Sequence, residues 1–361
     1  MWYPLLLLLP IFMLLLALFF LYRHGEAIRF AENMGAGWNL GNTLDAHSIE
    51  PPDDDILSFE QVWGNPPASR EIFETVRAAG FRTLRLPVSW FSHTDEDGNI
   101  DDAWMDRVQQ VVDEALDCNF YVILNAHHED WLSLDGDPAA LERNLCTMWS
   151  QIASRFAFYD ERLLFEGMNE PRLVDHEEEW TSGTPEANAV LMDLNDAFVR
   201  TVRQSGGNNE KRYLLVTPYA GNPEPEAIAA FRMPKDRRVM VTVHGYKPYR
   251  FAANAEGTAE WSASNAEDTQ WVDETFPLLY NTFIRRGVPV ILGEFGALDK
   301  NNTQTRAAWA DYLVTRAREN KIICIWWDDG GRESRPIRYA LLDRRTLSWY
   351  YPQIVEKLCG K

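Results

Sequence analysis

Two glutamates end apolar, strand-like runs: Glu170 follows Phe165-Glu166-Gly167-Met168-Asn169, and Glu294 follows Val290-Ile291-Leu292-Gly293. A carboxylate at the C-terminal end of a buried parallel strand stands on the rim where open α/β and barrel folds collect their ligands. Two such carboxylates suit the hydrolysis of an acetal through an oxocarbenium-like transition state. One acid protonates the leaving oxygen and the other carboxylate attacks or stabilises the anomeric carbon. Other polar residues at run ends match that chemistry. Arg85 and the hydroxyl of Tyr246 are suited to holding one glutamate ionised by hydrogen bonding to its charged form. Asn169, beside Glu170, is suited to a sugar 2-hydroxyl, a bond that strengthens in the transition state. Asn39, His127, His244 and Trp326 or Trp327 complete the set expected on the same rim, while His128 reads equally as a wall residue.

These residues need a scaffold that turns strand ends toward one point. Strand-like runs at Phe81–Leu86, Phe120–Leu124, Leu163–Glu166, Tyr213–Thr217, Arg238–Val243 and Ile322–Ile325 alternate with amphipathic stretches. In the stretch after Asn65-Pro66-Pro67, Ile72, Phe73, Val76 and Ala79 recur at helical spacing, and Gly80 ends it. Trp104, Val108, Val111, Val112 and Ala115 do the same farther on. About eight alternations reach the C-terminus without a linker, which predicts a single (β/α)8 TIM barrel over 35–361. The acidic runs 53–55 and 177–179 and the stretch 252–265 read as solvated loops.

The 361 residues, 46% hydrophobic and 25% charged, are those of a globular chain. A net charge of −19 repels phosphate backbones and argues against nucleic acid as a partner. Fourteen tryptophans and thirteen tyrosines exceed the usual needs of a core and are suited to stacking sugar rings. Cys118, Cys146, Cys324 and Cys359 lack CxxC pairing and zinc spacing, and most of them read as buried thiols. His127-His128-Glu129 lacks the H-E-x-x-H spacing that sets two imidazoles on one helix face, so no metal is assigned.

Residues 2–22 carry no charged side chain and are long enough to cross a bilayer. No basic start and no A-x-A pattern mark a cleaved signal, so residues 1–22 read as a hydrophobic helix that anchors the chain, or else as a signal segment. Residues 23–34 then form a short linker. Arg23, His24 and Arg29 lie on the side that the positive-inside rule keeps in the cytoplasm, against an exported domain.

The segments Gly37-Trp38-Asn39-Leu40-Gly41-Asn42-Thr43-Leu44-Asp45, Leu84-Arg85-Leu86-Pro87-Val88-Ser89-Trp90, Asn125-Ala126-His127-His128-Glu129, Asn169-Glu170-Pro171-Arg172, Val243-His244-Gly245-Tyr246, Gly293-Glu294-Phe295-Gly296 and Trp326-Trp327-Asp328 occur in one order. Together they resemble glycoside hydrolase family 5, the retaining β-glycanases that include many cellulases. The resemblance implies a (β/α)8 barrel without metal or organic cofactor, with Glu170 as acid/base and Glu294 as nucleophile. It gives Arg85, His127, Asn169, His244 and Tyr246 supporting roles, and makes one tryptophan of the Trp326-Trp327 pair the floor of the −1 subsite. It is closest to the branch of endo-β-1,4-glucanases that also accept xyloglucan or mixed-linkage glucan. Mannan, or sugar binding by an inactive barrel, are the alternatives. Asp329 departs from the asparagine usual in that branch and adds an acid near the sugar floor. A monomeric enzyme on the outer side of a membrane, or secreted if residues 1–22 are cleaved, is the expected setting.

Overall fold

Eight short strands, each followed by a helix, close on themselves. The computed structural model describes residues 25–47, 53, 55–331 and 338–360. The expected hydrophobic helix at 1–22 lies outside the described residues, and among these no helix is long and apolar enough to cross a membrane. The strands are β1 (Gly37–Leu40), β2 (Thr83–Leu86), β3 (Tyr121–Asn125), β4 (Leu163–Glu166), β5 (Leu214–Val216), β6 (Val239–His244), β7 (Val290–Phe295) and β8 (Ile323–Asp328). Each pairs in parallel with the next, and β8 returns to β1 to make a (β/α)8 barrel.

Where a linker is expected over 23–34, residues 25–34 instead form a helix, α1. Its Ala27, Ala31 and Met34 pack on Ile123, Leu164, Leu215, Met240, Ile291, Ile323 and Ile325, which point into the barrel from its lower layer. An amphipathic turn there covers apolar strand ends that water would otherwise reach. A short α2 (Ile56–Phe59) precedes α3 (Arg70–Ala79), followed by α4 (Asp102–Asp117), α5 (Pro138–Arg155), α6 (Pro185–Gln204) and α7 (Pro225–Ala230). Then come α8 (Tyr249–Ala252), α9 (Ala266–Thr282), α10 (Thr303–Glu319) and α11 (Pro352–Cys359). Local chemistry sets several boundaries. Asp101 and Asp137 accept from Trp104 N and Ala140 N to cap α4 and α5, and Gly80 ends α3 at φ 118°. Helix α9 starts at Ala266 because the side chain of Asn265 accepts from Glu267 N and caps the polar first turn.

The outward strand residues, among them Trp38, Leu84, Val122, Phe165 and Val243, join the inner faces of the helices in the main core. A two-stranded ribbon, β9 (Leu342–Asp343) with β10 (Ser348–Trp349), follows β8. Of the cysteines, Cys324 is fully buried while Cys118, Cys146 and Cys359 are only half-buried, and all four are free thiols.

Candidate active site

Strand alternation and register assemble the mouth. Asn39 pairs with Arg85 on one side and with Trp327 on the other, so the three project inward from adjacent strands at one level. Between Val243 and His244, and again between Leu292 and Phe295, the register shifts. Such a shift changes which residues face inward, and it brings His244 and Glu294 together.

Arg85 is wholly buried, and five hydrogen bonds account for its five donors. Nε and Nη2 donate to the two oxygens of Glu166 at 2.7 and 2.8 Å, and Nη1 donates to Glu294 Oε1 at 2.8 Å. The rest go to Asn39 Oδ1 at 3.0 Å and Asn169 Oδ1 at 2.7 Å. Burial alone would weaken the guanidinium's hold on its proton, but Glu166 and Glu294 more than offset it and keep the group charged. Glu294 also accepts from Tyr246 Oη at 2.8 Å. Burial and the charge of Glu294 push the Tyr246 phenol well above its ordinary range, so it stays a donor. With donors on both oxygens, Glu294 has the surroundings of an ionised carboxylate.

Glu170 sits differently. Its Oε1 lies 2.6 Å from His244 Nδ1, which is 3.8 Å from Glu294 Oε2. Burial would raise the Glu170 carboxyl, but the bond and charge of His244, helped by Arg172 and Arg85, bring it below its ordinary value. Burial likewise would lower His244, and Glu294 and Glu170 raise it instead. A proton is therefore held between His244 and Glu170. Carboxylate oxygens of Glu170 and Glu294 approach within 4.8 Å of one another.

Asn39 is consumed by the protein: its Nδ2 donates to Gly293 O at 2.9 Å and Trp326 O at 3.1 Å. It orients Arg85 rather than reaching into the cleft. Asn169 has its oxygen on Arg85, which leaves Nδ2 as its donor. Asn125 accepts from Val88 N at 3.1 Å, which fixes its amide, so Nδ2 faces His127 Nδ1 at 3.1 Å and the proton of His127 sits on Nε2. Burial, then His128 and Arg85, hold His127 well below its ordinary value, and burial and His47 take His128 to about 4. Both rings are neutral near pH 7. Glu129 turns away from them to accept from Trp90 N at 2.9 Å, and burial raises it to about 8.

The tryptophan pair separates. Trp327, half-buried, stacks on His127 with centroids 5.5 Å apart and planes 6° off parallel. Its ring lies against Gly41, where a Cβ would come within 2.8 Å. Trp326 faces the opposite way and is fully buried against Phe295 and Trp309, its Nε1 donating to Tyr339 O at 2.9 Å. Trp326 is therefore withdrawn from the mouth, because adjacent residues of one strand point to opposite faces. Asp329 also differs from expectation. It is buried, with Oδ1 accepting from Gly331 N and Tyr339 N, and burial beside Asp328 raises it to about 6. It holds a loop rather than facing the cleft.

Residue types alone did not single out Glu166 or Asn125, although Asn125 opens one of the signature segments and Glu166 lies in the strand-like run before Glu170. A cavity of about 870 Å³ beside Glu170 is lined by Trp180, Tyr249 and Trp271 together with His244 and Tyr246. Among the described residues, potential metal ligands form two groups, Glu170 with His244 and Glu294, and Asp45 with His127 and His128. In the second, the hydrogen bond from Asn125 already engages the His127 lone pair, and Asp45 accepts from Asn42 N and Thr43 N.

The cellulase model, glycosyl hydrolase family 5, matches residues 46–333. Endoglucanase A of Clostridium longisporum is 38% identical over 92% of this chain and 65% of its own. The cellulase/esterase CelE of Acetivibrio thermocellus is 41% identical over 92% of this chain, which spans only 40% of it. The chain thus spans less than two thirds of each of these relatives. Among solved structures, a broad specificity endoglucanase from Ruminococcus champanellensis with bound cellotriose superposes with TM-score 0.87 at 40% identity, covering 92% of this chain and 97% of that one. A lichenase from a Caldicellulosiruptor species gives TM-score 0.88 at 40% identity, covering 93% and 95%.

Proposed function

This chain belongs to glycosyl hydrolase family 5, and from that premise we propose that it is a retaining endo-β-1,4-glucanase working through Glu170 and Glu294. The observation that carries the reading is the approach of the two carboxylates within 4.8 Å. Retaining enzymes hold their carboxyl groups about 5–5.5 Å apart, whereas inverting ones leave roughly 6.5–9.5 Å for an intervening water. In the first step Glu294 attacks the anomeric carbon, and the proton shared by His244 and Glu170 passes through Glu170 to the glycosidic oxygen as the aglycone leaves. A covalent glycosyl ester on Glu294 results. In the second, Glu170 takes a proton from water, the water oxygen bonds to the anomeric carbon, and Glu294 departs as a carboxylate. Arg85 and Tyr246 receive that returning charge. Trp327 is the floor for the sugar ring at the cleavage point, and Asn169 Nδ2 is the donor to its 2-hydroxyl.

Cellulose-type β-1,4-glucan is the primary substrate class, with mixed-linkage glucan and xyloglucan as further substrates of the same mechanism. The broad specificity and lichenase relatives support that range. Residues 1–22 act as membrane anchor or signal, which sets residues 35–361 to work outside the cell.

The test is product release by the chain from residue 23 onward on carboxymethyl cellulose, mixed-linkage glucan, xyloglucan and mannan, with Glu294→Gln as control. Oligosaccharides from the β-1,4-glucans with the wild type alone uphold the reading, and the ranking among polymers fixes the substrate. Preference for mannan would transfer it to a mannanase. Binding without any release would leave an inactive sugar-binding barrel.

A further inference from the structure

Charge is distributed unevenly between the two ends of the barrel. The connections entering β2 to β8, residues 80–82, 118–120, 156–162, 205–213, 231–238, 283–289 and 320–322, carry eleven lysines and arginines against four acids. The connections leaving β2 to β7 at the mouth, residues 87–101, 126–137, 167–184, 217–224, 245–265 and 296–302, carry seventeen acids against four lysines and arginines. A chain of net charge −19 therefore presents a basic lower face. Lys211, Lys235, Arg237, Arg285 and Arg286 are exposed there and have no carboxylate partner among the described residues.

Three further features share that face. Phe158, in the connection into β4, is 87% exposed, more than any other exposed large hydrophobic residue described. A groove of about 490 Å³ beside it is lined by Arg162, Lys211, Arg212 and Arg238 together with the two acids Asp160 and Glu161. The described part of helix α1 begins there too, with Glu26 paired to Arg238 at 3.1 Å, and the apolar run 2–22 precedes it in the sequence.

We propose that this lower face lies on an anionic lipid surface, its basic side chains over the headgroups and Phe158 dipping between them, so that the mouth opens away from the membrane. Basic residues around an exposed aromatic are the usual composition of an interfacial surface, since the aromatic gains from the acyl boundary while the cations stay with phosphate. The acidic mouth is repelled by the same surface, which fixes the orientation. Soluble polyanions would find the cations but no use for Phe158. The orientation rests on residues 1–22 being membrane-inserted, and the test separates the two.

The full chain is mixed with vesicles of phosphatidylcholine, or of phosphatidylcholine with phosphatidylglycerol, and floated. A water-soluble acylating reagent then reports each lysine by mass spectrometry. The expected result is flotation with both, and acylation of Lys211 and Lys235 slowed about fivefold on anionic vesicles only, with Lys247 and Lys300 at the mouth unchanged. The triple variant Phe158→Ser, Arg237→Glu, Arg285→Glu should lose that protection and still cleave soluble oligosaccharides. Flotation with both vesicles without protection keeps the anchor and overturns the docking. Flotation with anionic vesicles alone, with protection, keeps the docking and removes the anchor. Flotation with neither overturns both. Equal protection on both vesicle types, or by a DNA duplex, overturns the assignment to anionic lipid.

Discussion

Arg85 and Glu166 form a two-point ion pair at 2.7 and 2.8 Å, both side chains wholly withdrawn from water. The pair is the platform on which the guanidinium meets Glu294, because a planar fork pinned along one edge presents its other edge at a fixed angle. Removing one member of a buried pair leaves the other charged and unpartnered, at a cost of about 3–5 kcal/mol. Glu166→Ala should lower unfolding free energy by about that amount in urea titrations. A loss under about 1 kcal/mol would contradict the platform argument.

Glu294→Gln should abolish turnover of polymers and of activated aryl glycosides alike, since an amide cannot form the glycosyl ester. Glu170→Gln should retain far more activity on aryl glycosides with good leaving groups than on polymer, because those need little protonation. Kinetics on a leaving-group series check both. Equal losses across the series in Glu170→Gln would sink its role as acid.

The opposite orientations of Trp326 and Trp327 separate stability from binding. Trp327→Ala should cut kcat/KM about 10- to 100-fold with little change in Tm. Trp326→Ala should cost about 3–5 kcal/mol of stability through the cavity it leaves. Calorimetry beside steady-state kinetics tests the contrast, and a reversal would reassign the sugar floor.

The His244 to Glu170 pair makes stability depend on pH. His244 is raised in the fold, so its contribution is complete below its ordinary value of 6.5 and is lost as pH rises through the raised value. Glu170 is lowered, so its contribution is present above its ordinary 4.5 and is lost as pH falls through the lowered value. The Tm difference between wild type and His244→Asn should therefore be greatest at about pH 4.5–6.5 and shrink on either side. A difference that grows steadily toward alkaline pH would refute the pairing.

Asp329 predicts the reverse. An acid raised to about 6 by burial opposes folding once it ionises. Asp329→Asn keeps an oxygen for Gly331 N and Tyr339 N, so it should raise Tm at pH 7–8 and leave it unchanged near pH 4. No gain at pH 8 would show that the carboxylate finds compensation.

Much of the architecture is determined by the sequence alone, because alternating strand-like and helical spacing is a local property and eight such units close a barrel whose strand ends meet. That is why Arg85, Glu170, His244, Tyr246 and Glu294, far apart in the chain, are legible as neighbours. Only the tertiary structure decided what depends on register. Side chains on a strand alternate, so whether Trp326 or Trp327 faces the cleft is settled by pairing with Trp38 and Asn39. The register shifts in β6 and β7 break simple alternation and bring Glu294 to His244. Glu166 resembles any buried strand residue until Arg85 is seen across the barrel. The burial of Asp329 and the basic lower face likewise arise from where loops gather, which no local pattern encodes.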